Sequence, residues 1–510
     1  MRHNFLRASI AISIATVMLR ILGFLREVVL AATYGAGVVS DAFVIAMTLP
    51  GIVLAVIAGA INTLYIPQYN NIEGDKSNFT NTLLTLLFIA GLIFSITLSL
   101  FPETLVYIFA SNIAPDAFRL ATTFLQIMVW SAIPLLLTGI FRSYLQMKSM
   151  FFMAMISDAL VNIFVISFIL ASNYSRNLIL LGIGSVIGNV ASMSVLMLLS
   201  RRNGLKYRPR LDLNDEHVKM LFRLTLPLLL TTAVSEINQI VDKNLASSLV
   251  SGTVSSLSYA GKINAVIISL IGGSMGIALF PKASELAASG DIDRLKRQFI
   301  MCFKNLFPLL LPMTVGMFLM AQPIIRILLE RGAFEPEDTR RTAECLQMYT
   351  LGIIAANFNN LVTRVFHALR QTKWPAVMSA ISITVGIILN LLFIKTMQHR
   401  GLALATSIST TLCFVLMLIT LRKRIGLLGM RSQLPEFAKI TTASLIMGAL
   451  VWFAMRLFAV MNSNYINGLI KSLLIAGGGA LIYFIILAVL RVEWIWNIAA
   501  YIKKFSQRRF

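Results

Sequence analysis

Three charged residues interrupt the first apolar stretch of the chain, Met18-Leu19-Arg20-Ile21-Leu22-Gly23-Phe24-Leu25-Arg26-Glu27. The chemistry open to Arg20, Arg26 and Glu27 is recognition. A guanidinium offers a planar fork of donors that fits phosphate or carboxylate oxygens. A charge inside a membrane-crossing helix normally faces a protein interior or a water-filled cavity. At about 100° per residue, Arg20, Gly23 and Glu27 share one helical stripe, with Arg26 about 120° away. If the segment begins near Ala8, a rise of about 1.5 Å per residue puts Arg20 roughly 18 Å deep, near mid-membrane. Arg26 then lies nearer the far interface, where a long side chain can snorkel. Arg20 is the stronger candidate for a cavity cation.

Further polar residues lie inside other apolar segments. The first half of the chain has Asp41, Asn62, Arg142 and Asp158; the second has Glu236, Asn238, Asp242, Lys262 and Arg364. A cluster of cations with few carboxylates suits an anion such as a diphosphate. Arg142 and Arg364 sit near segment ends, where snorkelling competes with ligand contact. Asp242 can pair locally with Lys243. No catalytic pattern accompanies them: there is no P-loop, no serine elbow and no zinc-type histidine spacing. Cys302, Cys345 and Cys413 are too far apart for a metal or disulfide framework. Neither an enzyme, a metal nor a cofactor is expected.

The elements that carry these residues are membrane helices. Of the 510 residues, 57% are hydrophobic and 13% charged, with a mean hydropathy of +0.80. A water-soluble globule could not bury that much apolar surface, and lipid leaves helices as the reasonable spanning form. The chain reads as an all-α polytopic membrane protein with about fourteen segments: 8–33, 39–66, 79–101, 118–146, 151–172, 177–199, 217–248, 254–282, 299–329, 341–369, 374–397, 400–421, 435–461 and 467–490. No cleavable signal is evident, so the first segment is expected to stay as an anchor. The net charge of +22 would suggest nucleic acid in a soluble domain. Here the basic residues cluster in alternate loops, as at Arg201, Arg202, Lys206, Arg208 and Arg210, which is the cytoplasmic-loop bias. Nucleic acid is not an expected partner, and both termini are placed in the cytoplasm.

The sequence also echoes itself. Phe141, Gln146 and Lys148 are matched by Phe366, Gln371 and Lys373; Pro67 is matched by Pro281, and Gly37 by Gly252. Two six-helix lobes around a central cavity are expected, sharing one orientation. The domains are then 1–200 (N-lobe), 201–216 (basic linker), 217–425 (C-lobe) and 426–510 (two extra segments and a basic tail).

Several stretches resemble a known family. Arg20-Ile21-Leu22-Gly23-Phe24-Leu25-Arg26-Glu27, then Tyr34-Gly35-Ala36-Gly37 and Ser40-Asp41-Ala42-Phe43, are similar to the first-helix signature of the MurJ (MviN) lipid II flippases. Ile237-Asn238-Gln239-Ile240-Val241-Asp242-Lys243, Ser256-Leu257-Ser258-Tyr259-Ala260 and Leu329-Glu330-Arg331-Gly332-Ala333-Phe334 agree as well. The resemblance covers about residues 1–425 and implies a twelve-plus-two helix layout. It implies transport of an undecaprenyl-pyrophosphate-linked glycan, lipid II, from the inner to the outer leaflet of the bacterial cytoplasmic membrane. A coupling ion or the membrane potential would drive it. It also implies functional roles for Arg20, Arg26 and Asp41, with Lys262 standing where the family usually has arginine. Glu27, Asn62, Glu236, Asn238, Asp242 and Arg364 would support them, and a groove among the last two segments would take the polyprenyl tail. The family's arginine pair after Leu-Pro is absent, since Gly51-Ile52-Val53-Leu54-Ala55 follows Leu49-Pro50. That departure leaves room for another lipid-linked oligosaccharide, and a cation-coupled exporter of small molecules is a further alternative.

Overall fold

The computed structural model describes residues 2–73, 76–459 and 465–496. The side chains at 2–16, 49, 52–56, 58, 60, 62, 63, 226–235, 237, 270–281, 458, 459 and 465–467 lie outside the description. The candidate Asn62 and the basic tail beyond residue 496 therefore fall outside it.

All regular structure among the described residues is helical. Eight helices there are long and apolar enough to cross a membrane; one of them, Lys373–Ile425, covers two of the expected segments. The count of about fourteen is thus an expectation that this criterion does not reach. The chain forms two compact units: Met1–Tyr259 with Arg331–Asp338, and Ala260–Glu330 with Thr339–Phe510.

The first unit contains α1 (Arg2–Tyr34), α2 (Val38–Asn71), α3 (Lys76–Leu100), α4 (Pro102–Phe109), α5 (Pro115–Met128), α6 (Ala132–Met147), α7 (Phe151–Ser175), α8 (Ile179–Arg202) and α9 (Glu216–Ser247). It also takes the start of α10 (Thr253–Ala288). The expected segment 118–146 is α5 and α6 joined by a tight turn at Val129–Ser131. One core of this unit gathers Tyr65, Phe79, Leu83, Leu136, Ile140, Tyr144 and Leu196, all buried. Its rings pack closely, Tyr65 lying 5.8 Å from Phe79 in a stacked arrangement.

Two glycines fix how the 331–338 loop meets the end of α1. Gly332 has φ +60, and a Cβ there would stand 2.1 Å from the Ala32 carbonyl oxygen; Gly35 has φ +64, with a Cβ 2.5 Å from the Ala333 carbonyl oxygen. Only a residue without Cβ tolerates both the left-handed backbone and the approach. The Ala333 amide donates to the Ala32 carbonyl at 2.8 Å. The Asp338 carboxylate accepts from the Ala36 and Glu335 amides.

The second unit holds the rest of α10, then α11 (Ile292–Leu319), α12 (Ala321–Leu329), α13 (Pro336–Thr350), α14 (Ile353–Ala368), α15 (Lys373–Ile425), α16 (Leu434–Ala459) and α17 (Tyr465–Val489). The α15 helix breaks at Gln398, whose φ of 50° and ψ of −130° are not helical. The polar run Gln398-His399-Arg400 lies at the junction of the expected segments 374–397 and 400–421. Beside that break the Glu344 carboxylate accepts from Arg340 at 2.9 Å and from Arg400, and bonds His399 Nε2 at 2.7 Å.

In α11, Pro312 removes the amide that would have bonded the Pro308 carbonyl four residues back. In lipid such a carbonyl needs another donor. Tyr483 of α17 supplies it, its hydroxyl donating to the Pro308 oxygen at 2.7 Å. α17 is thereby tied to α11, within a core of Ile440, Met447, Val451, Tyr483 and Leu487.

Candidate functional site

The first helix presents its charges in two environments. Arg20 is exposed on α1. Arg26 and Glu27 are only 7% and 4% exposed, and Arg26 Nη2 donates to Glu27 Oε1 at 2.7 Å. Arg26 therefore does not snorkel as its depth suggested: it is buried, and its neighbour supplies the counter-charge. A buried guanidinium needs such a partner, because removing it from water unpaired costs several kcal/mol on the order-of-magnitude scale of ion desolvation.

An apolar groove of about 370 Å³ lies between α1 and α7, lined by Met18, Leu19, Leu22 and Leu25 of α1 and by Phe152, Ile156 and Ala159 of α7. A helix that carries a guanidinium on one side and borders a hydrocarbon-lined groove on another is chemically suited to an amphiphile with an anionic head. A second apolar groove, about 430 Å³, lies in the other unit between Val315 and Phe318 of α11, Leu351, and Leu445, Ala449 and Trp452 of α16.

Asp41 is 2% exposed and fully engaged. Its carboxylate accepts from the Gly252 amide at 2.6 Å and the Ser255 amide at 2.7 Å, holding the N-terminus of α10, where free amides and the helix dipole favour an anion. Ser40 Oγ donates to the Gly35 carbonyl at 2.7 Å, and the Tyr259 hydroxyl donates to the same oxygen at 3.3 Å. The stretches at 34–43, 252–259 and 331–338 thus meet in one node. Ser255 and Asp338 belong to it, and sequence reasoning missed both. Their signal was weak, a serine and an aspartate beside glycine-containing turns.

The remaining candidates are more scattered. In α9, Glu236 accepts from Gln239 Nε2 at 2.6 Å, and Asn238 Nδ2 donates to Asp242 at 3.0 Å. These are contacts within one helix, an i,i+3 pair and an i,i+4 pair on different sides of it. In the second unit, Lys262 is exposed on α10 and Arg364 is partly buried on α14. Among the described residues no cluster could hold a metal ion.

A solved structure titled "Inward-facing conformation of a multidrug resistance MATE family transporter of the MOP superfamily" matches with a TM-score of 0.67 at 14% identity, over 82% of this chain and 98% of that one. That likeness shows the fold, a multi-pass helical membrane architecture. The family is narrower. The family model "Lipid II flippase MurJ" matches residues 30–474, so the chain belongs to the lipid II flippase MurJ family. A structure titled "Lipid II flippase MurJ, inward closed conformation" matches with a TM-score of 0.82 at 26% identity, covering 95% of this chain and all of that one (100%). The "Probable lipid II flippase MurJ" of Rickettsia prowazekii (strain Madrid E) is 27% identical over 414 residues, 79% of this chain and 81% of that protein.

Proposed function

We propose that this protein carries lipid II, an undecaprenyl-pyrophosphate-linked glycan, from the inner to the outer leaflet of the bacterial cytoplasmic membrane by alternating access, with both termini in the cytoplasm. Family membership supports the substrate class. The observation that carries the chemistry is Arg20, an exposed cation on an apolar helix whose neighbours Leu19 and Ile21 line a hydrocarbon groove. Arg20 engages the diphosphate, with Lys262 and Arg364 as further cations of the second lobe. Arg26 and Glu27 stiffen the helix that presents Arg20, and Asp41 anchors the start of α10. Asn238 with Asp242, and Glu236 with Gln239, order two sides of α9. The groove bounded by α11 and α16 receives the polyprenyl tail. The sequence contains no nucleotide-binding motif, so the membrane potential or an ion gradient supplies the energy.

The test is complementation. In a strain depleted of its resident lipid II flippase, the wild-type chain is expected to restore growth and lipid II exposure on the outer leaflet. Arg20→Ala is expected to abolish both while inserting at normal levels. Full rescue by Arg20→Ala would remove the cation from the mechanism, and failure of the wild-type chain would remove lipid II.

A further inference from the structure

The proposed transport leaves unused a second charged pair in the first unit. Arg142 of α6 and Asp158 of α7 form an ion pair, with side chains 27% and 41% exposed. Arg142 lies five residues before the last residue of α6, Met147, and Asp158 seven residues after the first residue of α7, Phe151. A snorkelling arginine would send its head to the helix end; this one turns to a neighbouring helix instead. The grip is one-armed: a single Nη2 donates to a single Oδ1. The Nε–H is buried and finds no acceptor among the described residues. A guanidinium fork normally engages two oxygens side by side, so one carboxylate oxygen underuses it.

Helical register places this pair relative to Arg20. A Cβ on Gly23 of α1 would stand 3.9 Å from Asn162 Oδ1 of α7, and eleven and ten residues further on Tyr34 and Ser172 share a hydrogen bond. The two helices therefore run parallel, with Gly23 level with Asn162 and Arg20 level with Asp158 within about one residue. At about 100° per residue, Arg20 lies roughly 60° from the Gly23 contact line, and Asp158 roughly 40° from the Asn162 line in the opposite sense. On facing parallel helices, opposite senses fall on the same side of the seam. The apolar groove checks the construction: Leu22, and Ala159 with Ile156, fall on the other side by the same arithmetic, and they line the groove together. One side of the α1–α7 seam is hydrocarbon. The other carries two guanidinium side chains with Asp158 at their level.

We propose that Arg142 is a second diphosphate-binding residue of the first unit and that Asp158 is its built-in stand-in for the substrate anion. With no substrate, Asp158 neutralises Arg142. An arriving diphosphate engages both arms of the fork where Asp158, in this geometry, engages one, and bridges toward Arg20. Release returns Arg142 to Asp158, so the site is never left holding a bare charge. This assignment rests on the transport reading above and adds its second anion contact.

The test uses the full chain in nanodiscs of phosphatidylethanolamine, with three probes: farnesyl diphosphate, inorganic pyrophosphate and phosphatidylglycerol. Farnesyl diphosphate is expected to bind the wild type. The double variant Arg142→Met/Asp158→Leu removes the pair without leaving either charge alone, a replacement that is often neutral or stabilising. It is expected to keep its melting temperature and lose about tenfold in affinity for farnesyl diphosphate. Asp158→Asn frees Arg142 of its competitor and is expected to tighten binding severalfold. Parallel loss of inorganic pyrophosphate binding would assign recognition to the headgroup alone; loss confined to the lipid probe would assign it to head and tail together. Phosphatidylglycerol competing as well as farnesyl diphosphate would overturn the proposal in favour of general anionic-lipid binding. Unchanged farnesyl diphosphate affinity in the double variant would overturn it while leaving the transport reading intact. A wild-type chain that binds no diphosphate would remove both. If the double variant does not fold, Arg142→Lys decides: the charge stays, the fork goes, and unchanged affinity refutes the assignment.

Discussion

Arg20 and Arg26 stand six positions apart in one helix, and the protein treats them oppositely. Arg20 was legible as an anomaly of depth, because position along a helix follows from residue count alone. Arg26 was not, because depth says nothing about which side chains cover a residue, and cover is what converts a snorkelling arginine into a buried ion pair. Asp41 shows the same limit more sharply. Its acceptor role depends on amides 211 and 214 residues later, a pairing that no local pattern encodes. Only a resemblance marked it as functional, and the geometry gives it a structural duty. Asp41→Ala leaves the amides of Gly252 and Ser255 without acceptors and is expected to cost about 2–4 kcal/mol. Thermal denaturation in detergent would read this as a lowered melting temperature. Asp41→Asn keeps one carbonyl acceptor and should fall between. Were Asp41 purely a ligand contact, neither melting temperature would move.

Among the elements, helix breaks were visible where polar or proline residues interrupt an apolar run. The break at Gln398 lies where the sequence changes from Met397 to Gln398-His399-Arg400. Pro308 and Pro312 lie inside the expected segment 299–329, and their remedy could not be read there, since a tyrosine in a distant apolar helix looks like any other packing residue. The relation between Pro312 and Tyr483 is nevertheless testable as a coupling. Tyr483→Phe strands the Pro308 carbonyl and is expected to cost about 0.5–2 kcal/mol. Pro312→Ala restores a local donor to that carbonyl. In the Pro312→Ala background, Tyr483→Phe should cost much less, and a double-mutant cycle of melting temperatures would measure the difference. Additive effects would mean that the tyrosine hydroxyl acts elsewhere.

For the whole molecule, hydropathy alone identified a polytopic helical protein, because no other architecture accommodates so much apolar sequence. The grouping of helices into units was harder to read. The 331–338 loop packs with α1 despite some three hundred residues of separation, through glycine contacts that become intelligible only in three dimensions. The grooves were likewise invisible, since an exposed Leu in a membrane helix looks the same whether it borders lipid or a cleft. The groove of the second unit yields a prediction at this scale. Ala449→Trp, on its exposed α16 wall, is expected to slow flipping of a full-length polyprenyl substrate several-fold while sparing a short-chain analogue. A reconstituted-vesicle assay with both substrates would distinguish this from a general loss of activity, which would slow both equally.

The hydroxyl of Tyr483 also sets an order of events during biogenesis. The Pro308 carbonyl and its donor are 175 residues apart. At about 5–20 residues per second of synthesis, the ribosome needs roughly 9–35 s to make the intervening chain. Throughout that interval α11 exists with a carbonyl that its own backbone cannot satisfy. A nascent chain halted before α17 would keep this carbonyl without its tyrosine donor, which makes α17 a completion step for a helix inserted long before it.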